Sequence, residues 1–338
     1  MSIGISQFFF ANSLTAKLSI KSTFEYSFNL KIGSNYPDYQ QTQKIGFGKE
    51  TTGGQGGDTL RVSNFSELQK ALQFTDKKRI VILQNDINLY AKDVDVKFPN
   101  ISIIGNAHKI HGGMISVEVN NVYVYNTIFD NENTRGDAFQ VTSWYGKTVE
   151  NIYLKNCEFL NGADESLDFR VAHNTGTVKN ITVENCRILN ENGYGVLAGD
   201  KTENITFYKN EMNSYERNIR AGSTVGFAFE MINNYVHNWR NSATQTSWGV
   251  KFSVVNNYYT TKRAKANPDF IVKDANNSTG DITKTHAYIK GNYSKQGWGV
   301  RPQLEPYLKD TPFADSGVLQ LALPVEQVKD LHFGVIKE

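Results

Sequence analysis

Two stretches of the sequence are near copies of each other: Asn151-Ile-Tyr-Leu-Lys-Asn156-Cys157 and Asn180-Ile-Thr-Val-Glu-Asn185-Cys186. Each alternates apolar and polar residues between two asparagines, which is the pattern of a short β-strand with one face in a core. Looser copies occur at residues 100–104, 121–126, 204–210, 229–234, 251–257 and 286–292. The first five copies begin 21, 30, 29 and 24 residues apart. A repeat at this spacing indicates a solenoid.

The segments between the copies carry no long helical pattern, which argues against alternating strands and helices. About two dozen residues can hold two or three short strands and their turns. Stacked coils of this kind bury one continuous core at about 4.8 Å per coil. The sequence therefore predicts an all-β protein, a parallel β-helix.

An asparagine follows the strand in most copies. Asparagine tolerates the left-handed conformation that a sharp corner needs, and stacked asparagine side chains can hydrogen-bond along a ladder. Cys157 and Cys186 come directly after this asparagine on successive coils, so we expect them to be stacked neighbours. Parallel strands in register give poor disulfide geometry, so both thiols are expected to be reduced.

The ends of the chain differ from the repeat. Ser13–Lys21 and Thr23–Ile32 both alternate and predict two strands of a small β extension, residues 1–44, used for attachment or oligomerisation. Residues 45–338 are predicted to form the β-helix. Asn64-Phe-Ser-Glu67 begins a capped helix, which would cover the open end of the solenoid.

Composition narrows the functional classes. The 338 residues carry a formal net charge of only +2, so nucleic acid is not implied as a partner. No stretch reaches the ~18 to 20 apolar residues of a membrane span. The first basic residue is Lys17, and the N-terminus does not match a secretory signal. We expect a virion or extracellular location, reached by cell lysis or with a signal that the initiator Met replaces.

Several segments together resemble pectate lyase family 1. Gly46–Gly57 and Leu60–Leu72 resemble its Gly-rich opening, first strand and capping helix. Motifs at residues 101–105, 136–141 and 164–169 follow in the family's order, and Phe313–Val335 resembles its C-terminal segment. The resemblance covers about residues 45 to 338 and implies a right-handed parallel β-helix.

The resemblance also implies a chemistry. Family members cleave acidic polysaccharides by β-elimination, in which Ca²⁺ can bridge protein carboxylates and the substrate's carboxylate. By resemblance, Asp137, Asp164 and Asp168 occupy the calcium positions, with Glu165 in reserve. Four residues of straight strand would span about 13 Å, so a turn must bring Asp164 and Asp168 together. The alternative is that these acids only solvate a turn.

The family's base is an arginine within an arginine-rich motif, which matches Tyr215–Gly222 here. Depending on the alignment, Arg217 or Arg220 is the catalytic arginine. Tyr215 then fills an arginine position and Tyr194 a lysine position, so both become candidates for substrate binding. Arg170 shares a strand face with Asp168 and could supply positive charge, and Trp239 could stack on a sugar. A turn stabilised by arginine–carbonyl bonds is the alternative for the two catalytic candidates.

Three functions stay open. The first is a calcium-assisted lyase acting on an acidic polysaccharide, for instance as a phage tail depolymerase. The second is an inactive carbohydrate-binding or structural virion protein on the same scaffold, with other virion proteins or a homotrimer as partners through residues 1–44. The third is a hydrolase with paired carboxylates about 5 to 10 Å apart, and it ranks last because the pattern of β-helical galacturonases is not evident.

Overall fold

The recurring phrase forms one parallel β-sheet of ten strands. Equivalent residues of successive copies lie opposite each other, as Ile152 does to Ile181 and Ile181 to Ile205. In stacking order the strands are Asp58–Val62, Arg79–Leu83, Ile101–Ile104, Val122–Tyr125, Thr148–Lys155, Thr177–Glu184, Thr202–Tyr208, Ala228–Ile232, Lys251–Val255 and His286–Lys290.

The other strands of the solenoid form a parallel sheet of fourteen strands whose pairing separates into two stacks. Three long strands take part in both stacks: Ile87–Val96, Lys109–Val117 and Arg187–Ala198. The first stack also contains Ile128–Asp130, Glu158–Leu160, Glu211–Glu216, Tyr235–His237, Tyr258–Thr260 and Tyr293–Ser294. The second stack also contains Phe139–Ser143, Glu165–Val171, Ile219–Ala221, Thr244–Thr246 and Ile271–Lys273.

The computed structural model describes residues 4–10, 13–19, 43–199, 201–222, 228–273, 281–314 and 316–337. The chain divides into two units, residues 1–43 and residues 44–338, and the solenoid belongs to the second. Within the described ranges, no helix has the length and apolarity that crossing a membrane requires.

The first unit contains an antiparallel hairpin of Gly4–Phe10 and Ser13–Ser19, in which Phe10 lies opposite Ser13. A strand within Ser13–Lys21 was expected, and Ser13–Ser19 forms one. Only two residues separate the paired strands, so the hairpin closes locally with the preceding segment. The other expected strand, Thr23–Ile32, lies outside the described residues.

The core runs through the solenoid as columns of inward-facing side chains. One column contains Ile152, Ile181, Ile205, Phe229 and Phe252, all fully buried on successive strands of the ten-stranded sheet. Burying a side chain of this size contributes about 1.5–3 kcal/mol. Because each coil can bury its apolar face only against its neighbours, the stacking of coils stabilises the fold.

Left-handed asparagines follow strands of the ten-stranded sheet, and this prediction is confirmed. The asparagines with positive φ directly after a strand of this sheet are Asn126, Asn156, Asn185, Asn233 and Asn256. Positive φ also occurs before or within the strands, at Asn100, Asn121, Asn151, Asn180 and Asn204. The side chain of Asn185 donates to that of Asn156 over 2.8 Å, which is the expected ladder.

A second ladder lies one residue further on, where the side-chain amides of Asn210, Asn234 and Asn257 each donate to the next asparagine, ending at Asn292, over 2.9–3.0 Å.

The two cysteines extend this second ladder. Both are buried and free, and the backbone N–H of Cys157 donates to Sγ of Cys186 over 3.4 Å. The backbone N–H of Cys186 in turn donates to Oδ1 of Asn210 over 2.8 Å. The prediction that the two cysteines are stacked neighbours is confirmed.

The Gly-rich opening segment lies against the outer face of the ten-stranded sheet. Gly48 N–H donates to Thr182 Oγ1 and Gly54 N–H to Ser102 Oγ, each over 2.9 Å. A Cβ on Gly54 would lie 1.8 Å from the carbonyl oxygen of Arg79. Glycine is therefore required for this close approach of two backbones.

One α-helix, Phe65–Gln73, packs its buried Leu68, Ala71 and Leu72 on the core. Asn64 Oδ1 accepts from Glu67 N–H, and Glu67 Oε2 accepts from Ser63 N–H, so the expected cap forms. Short 3₁₀ turns follow later in the chain at Ala172–Asn174, Ile282–Lys284, Pro302–Tyr307, Leu319–Leu321 and Val325–Asp330.

Residues 318–337, which we call the C-terminal strap, run back along the outside of the corners. Asn233 accepts from Leu323 N–H over 2.7 Å and donates to Leu323 O over 2.8 Å. Asn126 makes the same pair of bonds with Ile336, over 2.6 and 3.0 Å. The strap thus contacts coils from Asn126 to Asn256, whose side chain also donates to Leu323 O.

Candidate functional site

The alternating direction of side chains along the strands of the second stack defines the polar face of the candidate site. Phe139, Leu167 and Phe169 point into the core, so Gln140 and Asp168, which pair in register, point outward. Leu197, Arg220 and Gln245 continue this outward row on the next three strands.

Asp137 lies just before the first of these strands and is fixed by hydrogen bonds. Its Oδ1 accepts from the backbone N–H of Glu165 over 2.9 Å, and its Oδ2 accepts from Nε2 of Gln140 over 3.0 Å. The same Nε2 donates to Oδ2 of Asp168 over 3.1 Å. Gln140 therefore bridges two carboxylates from neighbouring strands.

Asp137, Asp164 and Glu165 form the acidic cluster, because one carboxylate oxygen from each lies within 4.8 Å of the others. Asp164 is exposed, while Asp137 and Glu165 are buried. The turn before the strand Glu165–Val171 brings Asp164 and Glu165 to Asp137. Glu165, expected only in reserve, thus stands in the cluster where Asp168 was expected. Asp168 is connected to the cluster by Gln140, whose amide donates to both Asp137 and Asp168. The Oδ1 of Asp168 has no hydrogen-bond partner among the described residues.

Burial raises the pKa of all three inner carboxyls. Loss of hydration brings the pKa of Asp137 to about 6, although hydrogen bonds from Glu165 N–H and Gln140 oppose the rise. Burial and the charge of Asp164 bring the pKa of Glu165 to about 7. Burial and the charge of Asp137 hold the pKa of Asp168 well above its ordinary value. The buried carboxyls are therefore more stable when they are protonated or when a cation neutralises their charge.

Arg217 supplies a cation to this cluster. It occupies a left-handed corner with φ of 56°, and its Nη1 forms an ion pair with Oε1 of Glu165. Its guanidinium carbon lies 3.9 Å from the centroid of the Tyr194 ring. Tyr194 is in turn opposite Glu165 in the strand pairing. The expected catalytic arginine, a substrate-binding candidate and the reserve calcium ligand thus meet at one point.

Two further arginines lie on the same outward face. Arg170 Nε is 3.4 Å from Oδ2 of Asp168, and the Arg170 side chain is 46% exposed. Arg220 pairs in register with Leu197, which pairs with Asp168, so Arg220 is two strands away from that carboxylate. Two strand spacings are about 10 Å, which is longer than one sugar ring.

Two residues expected to bind substrate lie elsewhere. Tyr215 belongs to a separate cluster, with the guanidinium carbons of Arg240 and Arg263 5.3 and 5.4 Å from its ring centroid. Trp239 has an exposed fraction of 0%, so its expected role as a sugar platform is wrong. The left-handed corner at Asn238 directs the indole into the core, where its N–H donates to Asn267 O over 3.1 Å.

Gln140 is the site residue that the sequence analysis missed. A period of two places it on the same face as Asp168 of the paired strand, so alternation together with the aligned motifs could have identified it. Its bridging role depends on the direction of its side chain, which the pattern does not contain.

No family model and no curated protein sequence matches the chain. Solved structures do match. The major allergen of cedar pollen superimposes with a TM-score of 0.67 at 15% identity, over 87% of this chain and 93% of the allergen. A variant pectate lyase of Bacillus subtilis gives 0.62 at 15% identity, over 88% and 98% of the two chains. Pectate lyase II of Xanthomonas campestris gives 0.63 at 15%, over 87% and 98%.

These similarities confirm the predicted fold, a right-handed parallel β-helix of the pectate lyase type. At this level of identity the likeness concerns the fold alone. The scaffold is therefore pectate-lyase-like in fold.

Proposed function

We propose that this β-helix is a polysaccharide lyase that cleaves an acidic glycan by calcium-assisted β-elimination. The observation that carries the proposal is the contact between Arg217 and the acidic cluster of Asp137, Asp164 and Glu165, on the outward face of a pectate-lyase-like scaffold. Acids, a cation and a polar strand face are the components that this reaction needs.

The donor set fits calcium. Asp137, Asp164 and Glu165 offer hard carboxylate oxygens close to one another, and the buried Oδ1 of Asp168 adds an acceptor without a partner among the described residues. Bound there, calcium would neutralise the substrate's carboxylate and so make the hydrogen on the adjacent carbon more acidic.

The arginines take the remaining roles. Arg170 and Arg220 bind uronate carboxylates along the outward face and orient the chain of sugars. Arg217 accepts the proton from the carbon next to the carboxylate. The electrons of that C–H bond form a carbon–carbon double bond, and the bond to the glycosidic oxygen breaks with its electron pair on that oxygen, which takes a proton from water. This role requires Arg217 to lose a proton in the substrate complex, because guanidinium is normally protonated.

The test is an elimination assay on a panel of acidic polysaccharides, which follows the ultraviolet absorbance of the unsaturated product with calcium and with EDTA. We expect product with calcium on at least one substrate, and a loss of at least 100-fold in rate for Arg217→Ala. The matched control is Arg301→Ala, which removes an arginine that pairs with Asp269 and should retain native turnover. Absence of product on every substrate would contradict the proposal.

A non-enzymatic glycan-binding protein is the second candidate. It is favoured by Tyr194, which fills a lysine position of the resembled family and holds Arg217 against Glu165. Retention of the protein by a polysaccharide gel without release of unsaturated product would support this candidate over the lyase.

We also propose that residues 1–44 attach the β-helix to a virion or join three copies of the chain. The antiparallel hairpin in this unit gives it strands of its own, separate from the solenoid. Light scattering of the full chain measures the mass, and a monomer contradicts the homotrimer. Mass spectrometry of purified particles tests the virion location.

A further inference from the structure

Three tyrosines lie in register on the outer face of the first stack. Tyr235 pairs with Tyr258, and Tyr258 pairs with Tyr293, on three successive strands. Their ring centroids are 5.8 and 4.8 Å apart. Val236 and Tyr259, which directly follow Tyr235 and Tyr258 in their strands, are buried. Because side chains alternate along a strand, the tyrosine rings point outward. The result is a row of aromatic rings parallel to the solenoid axis.

The row is covered at one end and open at the other. Phe333 of the C-terminal strap stacks on Tyr235 with centroids 6.5 Å apart, and His237 stacks on the same ring at 4.6 Å. Tyr293, at the other end, is 43% exposed. An exposed aromatic face that ends a row of packed rings is available to a ligand.

A pocket lies between the open end of the row and the strap. It is lined by Tyr258, Tyr293, Val325, Glu326 and Lys329, and its volume is about 240 Å³. Pockets for drug-sized ligands enclose about 300–1,000 Å³, so this one suits a unit of monosaccharide size. A stable protein partner would need about 800 Å² of surface, which five lining residues do not offer.

The lining has the chemistry of a sugar site. The tyrosine rings provide an apolar face for the C–H groups of a pyranose, and their hydroxyls add polar edges. Glu326 and Lys329 are exposed at the pocket, where a carboxylate accepts hydrogen bonds from sugar hydroxyls and an ammonium donates to sugar oxygens. A purely apolar ligand would leave both charges without a partner.

We propose that this tyrosine pocket is a second glycan-binding site, which takes one hexopyranose unit with its ring face on Tyr293. It lies on the first stack, whereas the acidic cluster adjoins strands of the second stack. The pocket therefore binds glycan whether or not the acidic cluster performs elimination. In a long polysaccharide, it holds one part of the chain while another part lies on the second stack.

The test is affinity electrophoresis through gels that contain neutral or acidic polysaccharides. We expect at least one polysaccharide to retard the native protein, and Tyr293→Ala to weaken the binding by about tenfold or more. Tyr293→Phe, which keeps the ring, should bind nearly as the native protein does. Phe74→Ala removes another exposed ring, 71% exposed beside the capping helix, and should leave retardation unchanged.

Binding and elimination are separated by measuring both in two variants. Arg217→Ala should lose elimination and keep the retardation that depends on Tyr293, while Tyr293→Ala should keep elimination on short oligosaccharides. Equal retardation of the native protein and Tyr293→Ala overturns the proposed pocket. Lack of retardation of the native protein by every polysaccharide also overturns it. Neither result depends on turnover by the acidic cluster.

Discussion

The guanidinium carbon of Arg217 lies 3.9 Å from the centre of the Tyr194 ring, while the same guanidinium pairs with Glu165. The ring and the carboxylate come from paired strands, with Tyr194 opposite Glu165. The cation is therefore held between an aromatic face and an anion, and its Nε is buried without a hydrogen-bond partner among the described residues. This arrangement fixes where positive charge meets the acidic cluster.

Removing the ring should release the cation. For Tyr194→Ala we expect a loss of about 1 kcal/mol in the free energy of unfolding, because a partly desolvated cation–π contact disappears. The rate of elimination should also fall in Tyr194→Ala, because Arg217 is no longer held in place. Tyr194→Phe keeps the ring face and should stay close to native in both measurements. Chemical denaturation and the ultraviolet assay provide the data, and equal losses for the two variants would contradict a role of the ring face.

Stability should fall as the pH rises through the acid range. In the folded protein the pKa of Glu165 is about 7 and that of Asp137 about 6, both above their ordinary values. Between about pH 4 and 7 the folded state therefore binds more protons than the unfolded state, so the free energy of unfolding decreases with pH. For Glu165 alone the effect is about 3 kcal/mol.

Thermal unfolding in EDTA at pH 5 and pH 8 measures this effect. We expect the native protein to melt several degrees higher at pH 5, and calcium to reduce the difference by stabilising the ionised cluster at pH 8. Glu165→Gln keeps the shape of the side chain without the charge, so its melting temperature should depend less on pH. A pH dependence as steep as in the native protein would contradict the assignment to Glu165.

The second asparagine ladder should contribute strongly to stability. The side chain of Asn234 accepts from N–H and Nδ2 of Asn210 over 2.9 and 3.0 Å, and donates to Phe207 O and Asn257 Oδ1 over 3.0 and 2.9 Å. Asn234→Ala removes all four of these buried bonds, including the acceptor of Asn210 N–H, so we expect a loss of about 3 kcal/mol in chemical denaturation. Asn241→Ala, at an exposed position, should change stability by less than about 0.5 kcal/mol.

The Gly-rich opening segment makes a steric prediction. In Gly54→Ala the new Cβ would meet the carbonyl oxygen of Arg79 at 1.8 Å, and backbone cannot yield as a flexible side chain does. We expect a loss of about 2 kcal/mol or more in stability and faster proteolysis within residues 44–57. The control is Gly299→Ala, where nothing lies within 4 Å of the added methyl group. Native resistance of Gly54→Ala to proteolysis would count against tight docking of this segment.

The fold could be predicted because its determinants repeat in the sequence. Ile152 and Ile181 occupy equal positions of a two-residue period, and Asn156 and Asn185 mark equal corners. Any one copy is ambiguous, but several copies at related spacing leave few alternatives. The N-terminal hairpin shows the limit, because alternation predicts the strand Ser13–Ser19 but does not show that Gly4–Phe10 pairs with it.

The candidate site was less predictable, because it depends on turns and side-chain directions. The acids came from the resemblance, yet the sequence does not show that Glu165 joins Asp137 while Asp168 meets Gln140 instead. Trp239 illustrates the same point: a single left-handed corner at Asn238 turns a candidate sugar platform into core. Such local backbone reversals change which side of a strand a residue faces, and no periodicity records them.

The C-terminal strap affects the order in which the coils can fold and unfold. Coils that touch only their neighbours can form, or come apart, one at a time. Here Leu323 and Ile336 bind asparagines at Asn233 and Asn126, several coils apart, so an inner coil cannot open without breaking bonds to residues far along the chain. During synthesis those bonds cannot form until Leu323 and Ile336 have left the ribosome. The coils therefore unfold as one cooperative unit only after the strap has been synthesised.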